Sequence, residues 1–195
     1  KNEHFIKGTS FKVIYTKLPT TTQILKPWMN LDWFKPEHAE RGSAVHRAIS
    51  TRLKGAWNPP VKAEYQGYVD SAFRWIDAMV DEIILIETRL VDESLKYCGK
   101  PDLIPKLKGD DCFSMVDWKT AVAKDQFRVW PPQIASYRNL AKVDRGFETG
   151  RGMSVRLRED GKMPLVDEYT DTYEADFRAF ECALYCHYYF PKKEQ

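Results

Sequence analysis

YCGKPDLIPKLKGDDCFSMVDWKTA, residues 97–121, reads as a β-hairpin. The apolar pair Leu103-Ile104 gives way to Lys108-Gly109-Asp110-Asp111, which supplies Gly and Asp where a tight turn needs them. A second apolar run, Phe113 to Val116, leads into Asp117-Trp118-Lys119. Side chains alternate along a strand, so Asp117 and Lys119 project from one face and Trp118 from the other. Pairing the strands brings Asp102, on the first, beside Asp117 on the second. Two carboxylates and an ammonium on one sheet face make a candidate divalent-cation site with a positive group beside it.

Working outward, Thr20-Thr21-Thr22 can cap a short helix that Pro27 interrupts. Pro36 suits the first turn of a longer helix reaching about Leu53, within which Gly42 marks a break or a close approach. Asn58-Pro59-Pro60 is a stop. From Glu64 to Glu82, Tyr65, Tyr68, Val69, Ala72, Phe73, Ile76 and Met79 recur at helical spacing. Ile83 to Val91, IILIETRLV, predicts a buried strand ahead of the hairpin. Pro131-Pro132 opens a helix running to about Val143, and Gly152 to Arg158 reads as a strand. A turn at Glu159–Lys162 leads to a short strand, Leu165 to Thr170, and a helix from Tyr173 to Tyr189 closes the pattern. From Glu64 onward the order is helix, three strands, helix, strand. That order predicts an α/β (α+β) fold, with the other helices packed on a mixed central sheet.

With 195 residues and 43% hydrophobic content, the chain can bury a sizeable core, most simply as one domain over residues 1–195. Its parts are a helical segment over 1–60, a core over 64–158, and a final strand and helix over 159–195. An aromatic share of 13% argues against disorder. A net charge of +2 permits a nucleic-acid partner without predicting one. No apolar run approaches membrane-spanning length and no signal-type segment opens the sequence; Lys1 in place of Met leaves room for residues upstream. Cys98, Cys112, Cys182 and Cys186 include no C-x-x-C pair, which disfavours a zinc site, and nothing supports a disulfide framework. Cys182 and Cys186, one helical turn apart beside His187, are expected as reduced cysteines on the buried face of the last helix.

Four motifs then stand in order on matching elements: RGSAVH (41–46), GKPD (99–102), DWKT (117–120) and QIASY (133–137). Together with the element order they resemble the PD-(D/E)XK nuclease superfamily, in particular its RecB-like exonuclease branch, which includes the mitochondrial genome maintenance exonuclease. The resemblance implies a restriction-endonuclease-like core and a metal-dependent DNA nuclease. It further implies an exonuclease leaving a 5′-phosphate and a 3′-hydroxyl. A structure-specific or restriction-like endonuclease and a non-catalytic DNA-binding module on the same fold are the alternatives.

A hard divalent ion wants oxygen ligands, so Asp102, Asp117 and the backbone carbonyl of Trp118 are suitable. The resemblance adds His46 as a metal ligand, and the mixed nitrogen and oxygen set suits Mn²⁺ as well as Mg²⁺. Lys119 would orient the attacking water or stabilise the developing charge. Glu87, inside the apolar strand, either reaches the metal directly or through water, or pairs with a structural Arg or Lys. Gln133 and Tyr137, four apart on one helical face, are placed near the site by the resemblance, touching the substrate phosphate or the lysine. Arg41 and Arg47 are candidate phosphate clamps. Trp28, Trp33, Trp57 and Trp130 could stack on bases or be core, and they stay outside the predicted site.

Some relatives hold an iron–sulfur cluster with one cysteine before the nuclease core and three after it. Here two fall inside the hairpin and two follow, so no cluster is expected. No G-x-x-x-x-G-K-[ST] loop is present, so no motor accompanies the site. The expected partner is DNA with a free end, not a membrane. The expected setting is intracellular, in a bacterium, a phage-infected cell or an organelle, where a recombination or single-strand annealing partner would fit.

Overall fold

The computed structural model describes residues 4–6, 9–11, 18–29, 35–57, 60–120 and 128–190. Asn58, Pro59 and Trp33 lie outside them. Strands β1 (His4–Ile6) and β2 (Thr9–Phe11) form a short antiparallel pair. Helix α1 (Thr21–Leu25) starts as its threonines predict. Thr20 accepts from the Gln23 backbone at 3.2 Å while the Gln23 side chain accepts from the Thr20 backbone at 2.8 Å, a reciprocal cap. Pro27 then falls in a 3₁₀ turn, Lys26–Trp28. Helix α2 (Pro36–Leu53) carries proline in its first turn and runs unbroken through Gly42, where a Cβ would meet Thr120 Oγ1 at an ordinary 3.7 Å.

Helix α3 (Ala63–Met79) passes directly into β3 (Val80–Ile86), three residues earlier than the periodicity implies, because Val80 already pairs with Leu107. A two-stranded ribbon follows, β4 (Leu90–Asp92) with β5 (Tyr97–Gly99). Next come β6 (Leu103–Leu107), β7 (Phe113–Lys119), α4 (Trp130–Arg145), β8 (Thr149–Arg156), β9 (Leu165–Glu168) and α5 (Tyr173–Tyr189). The main sheet is mixed, ordered β3-β6-β7-β8-β9, and only β7–β8 is parallel. Helix α4 connects those two strands, as a parallel crossover requires. Gly146, in the left-handed region at φ 69°, ends it.

Alternation along the strands sorts the core onto the two sheet faces. Leu103, Val116, Trp118 and Val155 face α2 and α3, while Ile104 and Met115 face α1, α4 and α5. Trp118 meets Trp75 edge to face at 5.6 Å, a geometry worth about 0.5–1.5 kcal/mol beyond the area it buries. The turn after β6 places Gly109 at φ 82°, the left-handed conformation that glycine adopts at little cost.

Three expectations need correction. The predicted strand 83–91 is two strands: the chain leaves the sheet at Glu87, which sits at φ 42° with its backbone N–H bonded to the Asp102 carbonyl at 3.0 Å. The strand before that point is a partly exposed edge, not a buried one. Cys182 is exposed and Cys186 half-buried, because α5 buries Phe180, Ala183 and Leu184 instead.

Candidate active site

The turn at Gly109 sets the register. Leu103 stands opposite Val116 and Lys106 opposite Phe113, so one residue further Asp102 comes opposite Asp117. Asp102 lies just before β6, not within it, and Asp117 lies in the centre strand of the sheet. Both are buried, at 7% and 4% exposure, where an unpartnered carboxylate would be costly. Neither is unpartnered. Asp102 Oδ2 accepts the Trp118 backbone N–H at 2.8 Å, and its Oδ1 accepts His46 Nδ1–H at 2.9 Å. Asp117 Oδ2 takes the Lys119 ammonium at 2.5 Å.

From Lys119 a chain of contacts runs into α4. Its ammonium donates to Gln133 Oε1 at 2.7 Å, and Gln133 Nε2 donates to the Tyr137 hydroxyl at 3.1 Å. The first bond fixes which end of the amide faces the lysine: an ammonium only donates, so it takes Oε1 and leaves Nε2 for the Tyr137 hydroxyl, which can accept. The ammonium also lies 5.3 Å from the centre of the Trp130 ring. Gln133 is therefore buried in this network and is not the surface glutamine that a single helical face also allows. Its neighbour Trp130, outside the predicted site, belongs with it; standing three residues before Gln133 on one helix, it was within reach of the same spacing argument.

Electrostatics follow from the packing. Burial disfavours a charged His46, but the charge and hydrogen bond of Asp102, with Asp117 adding, outweigh it and raise the imidazole to about 9. Burial also works against Asp102, yet the His46 charge and the hydrogen bonds from His46 and Trp118 hold it below its ordinary value. Asp117 is pushed up, by burial first and then by Asp102, against the pull of Lys119. Burial raises Tyr137 too, keeping its hydroxyl protonated.

Every predicted site residue borders one cavity of about 710 Å³: Arg41, His46, Arg47, Glu87, Asp102, Asp117, Trp118, Lys119, Gln133 and Tyr137. Arg41 Nη2 donates to the Thr120 carbonyl at 3.1 Å, and its guanidinium lies 5.3 Å from the Tyr68 ring, so it is braced toward the cavity rather than splayed into solvent. Arg47 is exposed at the rim. Glu87, although outside the strand, still reaches the site, where the Lys100 ammonium donates to its Oε2 at 2.9 Å. Trp28 and Trp57 are exposed and do not line this cavity.

Could these residues hold a cation? One ligand atom each from His46, Glu87 and Asp102 lie within 4.8 Å of one another, the compact grouping found among the described residues. An imidazole nitrogen with carboxylate oxygens is a donor set for Mn²⁺ or Mg²⁺. The residues fit a divalent ion. Asp117, expected as a ligand with Asp102, is not part of that trio; it lines the same cavity with one oxygen engaged by Lys119.

The backbone beneath the site is tight. A Cβ on Gly99 would come within 2.7 Å of Tyr137 Cε1 and of Leu140 Cδ1. Gly99→Ala is therefore expected to push the Tyr137 ring off Gln133 and to cost about 1–3 kcal/mol, the usual range for overpacking. Urea unfolding and a crystal structure of the variant check both.

No protein-family model matches this chain, and no curated protein matches it. Among solved structures it is similar to LHK-Exo in complex with dAMP, at 15% identity over 87% of each chain with a TM-score of 0.40. It is also similar to a candidate exonuclease from Eubacterium rectale, at 10% identity over 85% of this chain and 88% of that one, with a TM-score of 0.38. Likeness of this extent leaves the chemistry of the cavity to be argued from its own residues. Among the described residues no helix is long and apolar enough to cross a membrane.

Proposed function

We propose that the chain is a divalent-metal-dependent DNA nuclease, an exonuclease that leaves 5′-phosphate ends, with residues 1–195 acting as one nuclease domain. One observation carries the reading. A lysine held by Asp117 and Gln133 stands in the same cavity as a partly buried acid–histidine grouping that fits a cation. A structural ion pair would need only Asp117. The second anchor, Gln133, and the tyrosine that orients it fix the ammonium in a geometry that stability alone does not require.

His46, Asp102, Asp117 and the Trp118 carbonyl would hold the ion, and Glu87 would join them directly or through water. When bound, such an ion neutralises charge gathering on phosphate oxygens and lowers the pKa of a water in its shell. Lys119 either orients the attacking water or meets the negative charge that develops. Gln133 keeps its ammonium from swinging, and Tyr137 holds the Gln133 side chain in place. Arg41 and Arg47 supply positive charge at the cavity wall and rim for the phosphodiester backbone.

The test compares end-labelled linear DNA with a closed circle of the same sequence, in Mg²⁺, in Mn²⁺ and in EDTA. Mononucleotides from the linear DNA alone, and no cleavage in EDTA, is the expected result. Nicking of the circle would make the chain an endonuclease. DNA binding without cleavage in either metal would make it a binding module.

A further inference from the structure

Lys100 has no part in the reading above, yet its ammonium sits 2.9 Å from Glu87 Oε2, an oxygen of the grouping that fits the cation. The two side chains differ in freedom. Glu87 is 17% exposed, and its left-handed backbone is tied to the Asp102 carbonyl, so its carboxylate is delivered with Asp102 as one unit. Lys100 is 55% exposed, on a flexible four-carbon stem whose base is fixed between Gly99, packed under Tyr137, and Pro101. An ammonium and a divalent ion repel one another strongly when they share a carboxylate. The more weakly held of the two, on the more exposed side chain, is the lysine.

Resting on the nuclease reading, we infer that Lys100 is a further substrate-binding residue. Its ammonium neutralises Glu87 while the cation site is empty. It is displaced when the ion binds, and then contacts a phosphate of the DNA at the mouth of the same cavity, which Lys100 lines. The ion pair thus links metal loading to substrate grip: with no metal the lysine is occupied, and with metal it is free to bind DNA.

The test uses the full chain as wild type, Lys100→Met and Lys100→Arg. Mn²⁺ binding without DNA is followed by the electron paramagnetic resonance signal of the free ion. Removing a positive charge from beside the site should tighten Mn²⁺ binding in Lys100→Met by about tenfold, an order-of-magnitude Coulomb expectation at a partly solvated site, while Lys100→Arg stays near wild type. Equal or weaker Mn²⁺ binding by Lys100→Met overturns the exchange. If wild type itself takes up no Mn²⁺, the metal reading falls, which is a separate failure. The second arm measures the affinity of a fluorescein-labelled strand. Lys100→Met should bind it several-fold more weakly than wild type in Ca²⁺ and equally well in EDTA. An equal loss in both buffers, or none in either, overturns the phosphate contact.

Discussion

Lys119→Ala is expected to abolish cleavage, lowering the single-turnover rate by at least about a thousandfold, in line with loss of a positioned charge or proton-transfer group. DNA binding measured in Ca²⁺ should stay within a few-fold of wild type, because Arg41 and Arg47 remain. The substitution removes three interactions at once: the pair with Asp117, the bond to Gln133 and the contact with the Trp130 ring. Asp117 would then be buried without its partner. Its carboxyl is already pushed up by burial, so it can take a proton and the fold can tolerate the change. Lys119→Met, which keeps the bulk of the stem, separates lost chemistry from lost packing. Both variants should be equally inactive, and undiminished cleavage by Lys119→Met would remove the mechanism.

Asp102→Asn should have nearly as large an effect, by a different route. Asn keeps the shape but carries no charge, and one end of its amide no longer accepts, so both the Trp118 N–H and the His46 N–H lose a charged acceptor and one of them loses its acceptor altogether. Metal affinity is expected to fall by more than about a hundredfold, beyond the range seen for residues that only orient a ligand. A pH signature accompanies it. In the folded protein His46 is raised to about 9 from an ordinary 6.5, so its pair with Asp102 contributes stability that is complete below 6.5 and is lost as pH rises toward 9. At the acid end, Asp102 contributes stability above its ordinary range that is lost as pH falls through its depressed value. Urea unfolding of the metal-free wild type should therefore show stability declining between pH 6.5 and 9. Asp102→Asn should be flat across that window. Because a metal needs the neutral imidazole, Mn²⁺ affinity of the wild type should rise over the same interval.

Much of this was legible in the chain because local rules and the fold agree. Pro36 and Pro131-Pro132 open their helices where an N–H is not needed, and Gly109 fixes a turn whose register alone puts Asp102 opposite Asp117. Alternation along a strand puts Asp117 and Lys119 on one face, and the ion pair between them follows from it. What escaped was set by tertiary contacts. IILIETRLV is apolar throughout, and nothing in it announces that Glu87 turns at φ 42° while Leu90–Asp92 joins another ribbon. Helix α5 bears apolar residues all round, so periodicity could not tell that Cys182 faces out while Phe180 faces in. Trp130 and Trp57 look alike in sequence; one is 3% exposed beside Lys119 and the other 84% exposed, a difference only packing decides. Lys100 sat in plain view within GKPD, but its meaning depends on where Glu87 ends up.

The most direct measurement is anomalous diffraction from crystals grown with Mn²⁺. The expected density is a manganese peak within roughly 2.0–2.3 Å of His46 and Asp102 ligand atoms, with Asp117 or Glu87 completing the shell and the Lys119 ammonium close by. A fully loaded crystal with manganese bound elsewhere, and the His46–Asp102 hydrogen bond still intact, would contradict the account.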